Sequence, residues 1–277
     1  MKIITGMHRS GTSMTSNMLM EISGQENFPE EHIKSDHWNQ KGYFENKEIV
    51  VLNNTILISK YAPSSQIIND PDIENKKLKK ALLGIFNFKY VFILLNPNSI
   101  HRSAQRYQNE ISTISTKYQS HIIKDPRFSL LLSPWREWGN IEKVLVCFRD
   151  PKEVALSLKK RNKLPMQAGY WLWKFHNNQL LKSIEEYEDH QVIYIYYNNF
   201  FHPQKRETEI QRLYAFLDIP FDDRQAQHLL ENILDSNLKH YTSNATSPVA
   251  SPPSVIIQVQ IIKTGGQNHD PRQPLHL

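Results

Sequence analysis

Lys2-Ile3-Ile4-Thr5-Gly6-Met7-His8-Arg9-Ser10-Gly11-Thr12-Ser13 runs from a β-branched stretch through a glycine loop into a segment with helical periodicity. In that order, strand then loop then helix, backbone N–H groups at the start of the helix converge on one spot and can cradle a phosphate. Gly6 and Gly11 have the Gly-x4-Gly spacing of a Walker loop, but Thr12 stands where a nucleoside-triphosphate-hydrolysing loop carries its lysine. The usual contact to β- and γ-phosphates is therefore missing. Arg9 lies inside the loop, where a guanidinium can reach oxygens of a transferring group. Ser10, Thr12 and Ser13 add hydroxyl donors, and the last two also read as helix-start residues. The plainer alternative is that these residues only cap a helix.

Working outward, four short apolar runs read as strands: residues 2–5, 120–123, 143–148 and 191–196. Helical periodicity covers residues 12–22, 47–58, 128–138, 151–160, 167–187, 207–217 and 223–234. Strands alternating with helices predict an α/β fold, a P-loop-like three-layer α/β/α arrangement with a mainly parallel central sheet. Residues 88–95 fit either a further strand or a turn of buried helix. Residues 1–240 read as one domain. The Ser-, Thr- and Pro-rich residues 241–277 read as a flexible tail, in which residues 255–262 could pair as an edge strand.

A second candidate anion site follows the run 143–148. Arg149 stands at the strand end, Ser157 is eight residues on, and Arg161 is one helical turn further on the same face as Ser157. Two guanidiniums and a hydroxyl converging on one spot can hold a phosphate. The bland reading makes Asp150 a helix cap and leaves Lys159, Lys160 and Arg161 as solvated charges.

Together these two elements resemble the sulfotransferase family that uses 3′-phosphoadenosine 5′-phosphosulfate (PAPS). The resemblance implies that Arg9, Ser10, Gly11, Thr12 and Ser13 bind the 5′-phosphosulfate, and that Arg149 and Ser157 bind the 3′-phosphate. Lys124-Asp125-Pro126-Arg127 is similar to a motif of the protein-tyrosine sulfotransferases and their bacterial relatives, which implies that Lys124 lies near the transferring group. The same enzymes imply a nucleotide contact for Arg161. Tyr197-Asn198-Asn199-Phe200, with His202-Pro203 and Phe216-Leu217-Asp218-Ile219-Pro220, is similar to the family's C-terminal stretch and implies that Tyr197 lines the nucleotide site. Gly42-Tyr43-Phe44-Glu45-Asn46 resembles a bacterial sulfotransferase-like branch. Two features depart from the pattern: Arg9 replaces the lysine of many members, and no distal basic or glycine-containing loop is identifiable.

By analogy with phosphoryl transfer, the reaction is an in-line displacement with charge building on the leaving oxygen. Arg9 and Lys124 are the candidates to neutralise it, and Glu45 is the first candidate for the base that deprotonates the acceptor hydroxyl. Glu30, Glu31 and His37 are rival bases, and Glu45 could instead simply favour a helix N-terminus. No metal is expected: the acidic residues show no ligand spacing and the 12 histidines are scattered. Cys147, the single cysteine, sits in an apolar run and reads as a buried, inert thiol. Tyr170, Trp171 and Trp173 could stack on a sugar or adenine, though core packing is the first reading. A net charge of +5 suits an anionic ligand and is too small to argue for nucleic acid. No apolar run is long enough to span a membrane, and the N-terminus does not read as a signal peptide, so a cytoplasmic protein is expected. The expected acceptor is a hydroxyl, with a glycan favoured by family analogy. A P-loop small-molecule kinase, or a nucleotide-binding protein without turnover, is the alternative.

Overall fold

The computed structural model describes residues 1–25, 45–59, 97–185 and 187–232. The chain divides into units Met1–Tyr241 and Thr242–Leu277, and every described residue lies in the first. The expectations for residues 88–95 and 241–277, and the candidate bases Glu30, Glu31 and His37, fall outside the described residues.

Four parallel strands, β1 (Lys2–Thr5), β2 (Ile122–Lys124), β3 (Lys143–Phe148) and β4 (Val192–Tyr196), form a sheet of order β2-β1-β3-β4. The register sets Ile3 against Ile123 on one side and Val144 on the other, and Val146 against Tyr194. The helices in chain order are α1 (Thr12–Ser23), α2 (Lys47–Ser59), α3 (Pro97–Ala104) and α4 (Gln108–Lys117). They continue with α5 (Phe128–Trp138), α6 (Pro151–Asn162), α7 (Met166–Ile184), α8 (Arg206–Leu217) and α9 (Asp223–Asn232).

This strand order has a consequence for the site. The chain leaves β1 toward β2, then crosses back over β1 to reach β3, so the direction of travel reverses between β1 and β3. Right-handed crossovers then place α1 on one face and α5, α6 and α7 on the other. Burial agrees. Ile4, Leu145, Cys147 and Ile195 pack with Met18 and Leu19 of α1, Leu213 of α8 and Leu229 of α9. The alternate residues Ile3, Val144, Val146 and Phe148 are equally buried, so helices close both faces. Within the second layer, Gly169 of α7 lies against Ala155 of α6, and Ser129 of α5 meets His176 of α7 at 2.8 Å. The crevice at the carboxyl ends of β1 and β3 is the topological switch point, where open α/β sheets bind ligands.

Several boundaries differ from expectation. β2 starts two residues later than expected and takes in Lys124, whose polar head is satisfied inside the protein. Gln191 belongs to a single 3₁₀ turn closed by reciprocal bonds with Glu188, and α7 stops at Ile184. Helices α3 and α4 were not expected at all. Their apolar contacts are sparse, with Ile100, Ala104, Ile111 and Ile114 buried among polar residues.

Candidate active site

The loop from Gly6 to Gly11 is held by contacts that exclude side chains. A Cβ on Gly6 would run into the Cys147 carbonyl of β3, and one on Gly11 would enter the ring of Tyr197. Ser10 closes the turn, donating from both its amide (3.1 Å) and its hydroxyl (2.7 Å) to the Met7 carbonyl. The N-cap of α1 is Gly11, in the left-handed region at φ 95°, and no side chain caps the helix. Thr12 and Ser13 are therefore its first two helical residues rather than caps. No acidic residue stands in that first turn. An uncapped helix start of this kind, opening on the switch point, suits a phosphate.

Arg9 is a non-glycine residue at φ 75°, a strain of about 1–3 kcal/mol that the surroundings must hold in place. Its Nε donates to Ser157 Oγ at 2.8 Å, and Arg149 Nη1 donates to the Arg9 carbonyl at 3.3 Å. The Arg149 guanidinium lies 4.2 Å above the Tyr197 ring, and Glu153 fixes it through a 2.9 Å ion pair. Asn198 donates to the other Glu153 oxygen at 2.7 Å, and Trp173 Nε1 to the Arg149 carbonyl at 3.0 Å. Gly11, Arg9, Arg149, Ser157 and Tyr197, drawn from both sides of the switch point, thus form one cluster. Arg161 lies on α6, half-buried. The bland reading of Asp150 holds alongside: its Oδ1 accepts from the amides of Lys152 (2.8 Å) and Glu153 (3.1 Å).

Lys124 and Glu45 form a second cluster. The Lys124 ammonium, 1% exposed, donates to Glu45 Oε1 at 2.8 Å, and Arg127 Nη1 donates to Glu45 Oε2 at 3.2 Å. Arg127 also pairs with Asp125 at 2.8 Å and with Asn54 Oδ1 at 2.7 Å. Asp125 Oδ2 accepts from Asn53 at 2.8 Å, and Asn53 Oδ1 from Trp135 at 2.7 Å. Burial raises the Glu45 pKa, but the charges of Lys124 and Arg127 outweigh it and hold the carboxyl at about 2. Of the three candidate catalytic residues, Glu45 and Lys124 are thus joined directly, whereas the Arg9 guanidinium points to Ser157.

His8 precedes Arg9 in the loop. It lies within electrostatic reach of Lys124, Arg127 and Glu45, and meets His176 edge-on at 6.4 Å between centroids. Burial, followed by the Arg127 charge, pushes its pKa well below the ordinary histidine range, so the ring is neutral at neutral pH. His176 is fully buried, and burial lowers it to about 4. Ser129 approaches both the Pro126 carbonyl and His176 Nδ1, and one hydroxyl proton serves both contacts only if Nδ1 carries the proton that Ser129 accepts. Burial lifts the Cys147 thiol to about 12 and makes it inert.

The sequence reading assigned no role to His8, Arg127, Asn53, Asn54 or Glu153. A signal existed for the asparagines, since two adjacent ones inside an apolar helix run against helix propensity. The core reading holds for Trp173 and fails for its neighbours. Trp171 is 47% exposed and stacks on half-buried Phe175 with ring centroids 5.3 Å apart, and Tyr170 is exposed. Among the described residues no group of acidic, histidine or cysteine side chains could hold a metal, and no helix is long and apolar enough to cross a membrane.

A family model described as the sulfotransferase domain matches residues 2–251. No curated protein sequence matches. Among solved structures, the chain is similar to "Sulfotransferase Domain from the Curacin Biosynthetic Pathway" at 17% identity and a TM-score of 0.46, over 95% of this chain and 96% of that one. It is also similar to retinol dehydratase in complex with androsterone and inactive cofactor PAP, at 16% identity and a TM-score of 0.38, over 99% of this chain and 82% of that one.

Proposed function

The chain belongs to the sulfotransferase family, and from that premise we propose that it moves the sulfuryl group of PAPS to an acceptor hydroxyl, with a glycan as the acceptor class. The observation that carries the PAPS reading is the 2.8 Å bond from Arg9 to Ser157, with Arg149 on the Arg9 carbonyl. It joins the loop expected to take the 5′-phosphosulfate to the residues expected to take the 3′-phosphate.

In this reading the amides of Thr12 and Ser13 face the 5′-phosphate at the uncapped start of α1. Arg149 and Ser157 hold the 3′-phosphate, and Arg161 approaches it from the end of α6. Arg9, between the two, neutralises phosphate charge. Tyr197 lies under the Arg149 guanidinium and beside Gly11 and closes the nucleotide side of the cleft. Lys124 stands across the loop, where its ammonium serves the sulfuryl oxygens and the leaving bridge oxygen. The acceptor oxygen forms its bond to sulfur as the sulfur–oxygen bond to the 5′-phosphate breaks, and the electron pair leaves on the bisphosphate. Support for a glycan comes from the exposed face of Trp171, since sugar rings stack on such surfaces.

The test is transfer from ³⁵S-labelled PAPS to a panel of methyl glycosides, p-nitrophenol and a tyrosyl peptide, with thermal shift in parallel. The reading predicts labelled glycoside and stabilisation by adenosine 3′,5′-bisphosphate. Stabilisation by ATP with Mg²⁺ alone would overturn it, and label on the phenol or peptide alone would overturn the glycan class.

A further inference from the structure

We propose that the imidazole of His8 is the base that takes the proton from the acceptor hydroxyl. The inference rests on the sulfuryl-transfer reading above. The loop divides the cleft: the Arg9 side chain reaches Ser157, whereas that of His8, one residue earlier, meets the His176 ring at 6.4 Å within electrostatic reach of Lys124, Arg127 and Glu45. The side of the loop away from the nucleotide phosphates is where an acceptor must approach for in-line attack.

Among the described residues, the competing groups on that side are engaged. Both Glu45 oxygens are bonded, one to Lys124 and one to Arg127. His176 is buried and bonded to Ser129. His8 is half-buried, and among the described residues no side chain hydrogen-bonds its ring. Burial keeps it neutral, helped by the charges of Arg127 and Lys124 and by His176, and Glu45 opposes them. An aromatic row of Trp171, Phe175, His176 and His8 also leads from the surface to this point, each ring 5.3–6.4 Å from the next.

The step balances. The acceptor oxygen bonds to sulfur, the bridge oxygen leaves with the bisphosphate, and the hydroxyl proton passes to an imidazole nitrogen. As the new bond forms, the hydroxyl oxygen becomes positive and strongly acidic, so a neutral imidazole of low basicity suffices. Glu45 offsets the imidazolium charge until the proton leaves to solvent.

The experiment follows PAPS turnover as bisphosphate release, in water and with the most active panel acceptor, for wild type and His8→Asn. Bisphosphate affinity is measured by calorimetry on both. The proposal predicts that kcat falls about 100-fold or more. Bisphosphate Kd should stay within about 3-fold, a difference below 1 kcal/mol. The acid limb of the kcat/KM profile, which in wild type lies below the ordinary histidine range, should disappear. Turnover near wild type, a surviving acid limb, or a loss of bisphosphate affinity in step with turnover would each overturn it. A wild-type protein that binds no bisphosphate would instead overturn the PAPS reading.

Discussion

Glu45 sits between the buried Lys124 and the half-buried Arg127, and the balance of those charges sets what it can do. Replacing it by Gln leaves the buried Lys124 ammonium without its carboxylate partner and Arg127 with one fewer. Breaking such a pair costs about 3–5 kcal/mol. Urea unfolding of Glu45→Gln should therefore show a loss near about 3 kcal/mol together with reduced turnover, and unchanged stability would contradict the buried pair. The sequence marked Glu45 and Lys124 as separate candidates. Their direct pairing was not legible, because it spans 79 residues and depends on Lys124 being drawn into β2. A second residue-scale prediction concerns acid. His176 has an ordinary value of 6.5 unfolded and about 4 folded. Between these values the unfolded chain takes up a proton that the native chain refuses, so stability is complete above about 6.5 and falls as the pH drops toward about 4. Denaturation midpoints between pH 7 and pH 4 should record wild type losing up to about 3 kcal/mol more than His176→Gln, the neutral His8 contributing to the acid loss in both proteins. A flat wild-type profile would contradict the buried neutral ring.

At the scale of elements, the start of α1 is the critical join. Gly11 has both a left-handed backbone and the Tyr197 ring in the space of a Cβ, whereas Gly24 at the other end of α1 has a left-handed backbone and open space. Gly24→Ala should cost about 1 kcal/mol, from the backbone alone. Gly11→Ala should cost about 2 kcal/mol or more and also weaken bisphosphate binding, because Tyr197 must move. Equal effects from the two changes, measured by thermal melting and calorimetry, would contradict this account. The sequence showed α1 and both glycines because a β-branched run, a glycine loop and a helical period follow one another directly. It did not show α3 and α4. Their Ile residues are separated by Ser, Thr, Asn and Gln, which compete with helical bonding, and only packing of Ile100, Ile111 and Ile114 makes these segments helical. Strand ends were misplaced for a related reason. A polar residue usually falls outside a buried strand, and Lys124 is instead the last residue of β2, because Glu45 satisfies it.

For the molecule as a whole, the reversal of chain direction between β1 and β3 brings residues 9 and 157 together across the crevice. The parallel α/β class was legible because four apolar runs alternate with helices. The strand order was not, since nothing in a run of Val and Ile specifies its neighbour. That order gives the central claim: one ligand with two phosphates is gripped from both sides of the switch point. Calorimetric titration with adenosine 3′,5′-bisphosphate and, separately, adenosine 5′-monophosphate tests it most directly. The account predicts that the 3′-phosphate, held by charge-assisted bonds from Arg149 and Ser157, adds about 2 kcal/mol, or about 30-fold in Kd. Equal affinity for the two nucleotides would contradict it.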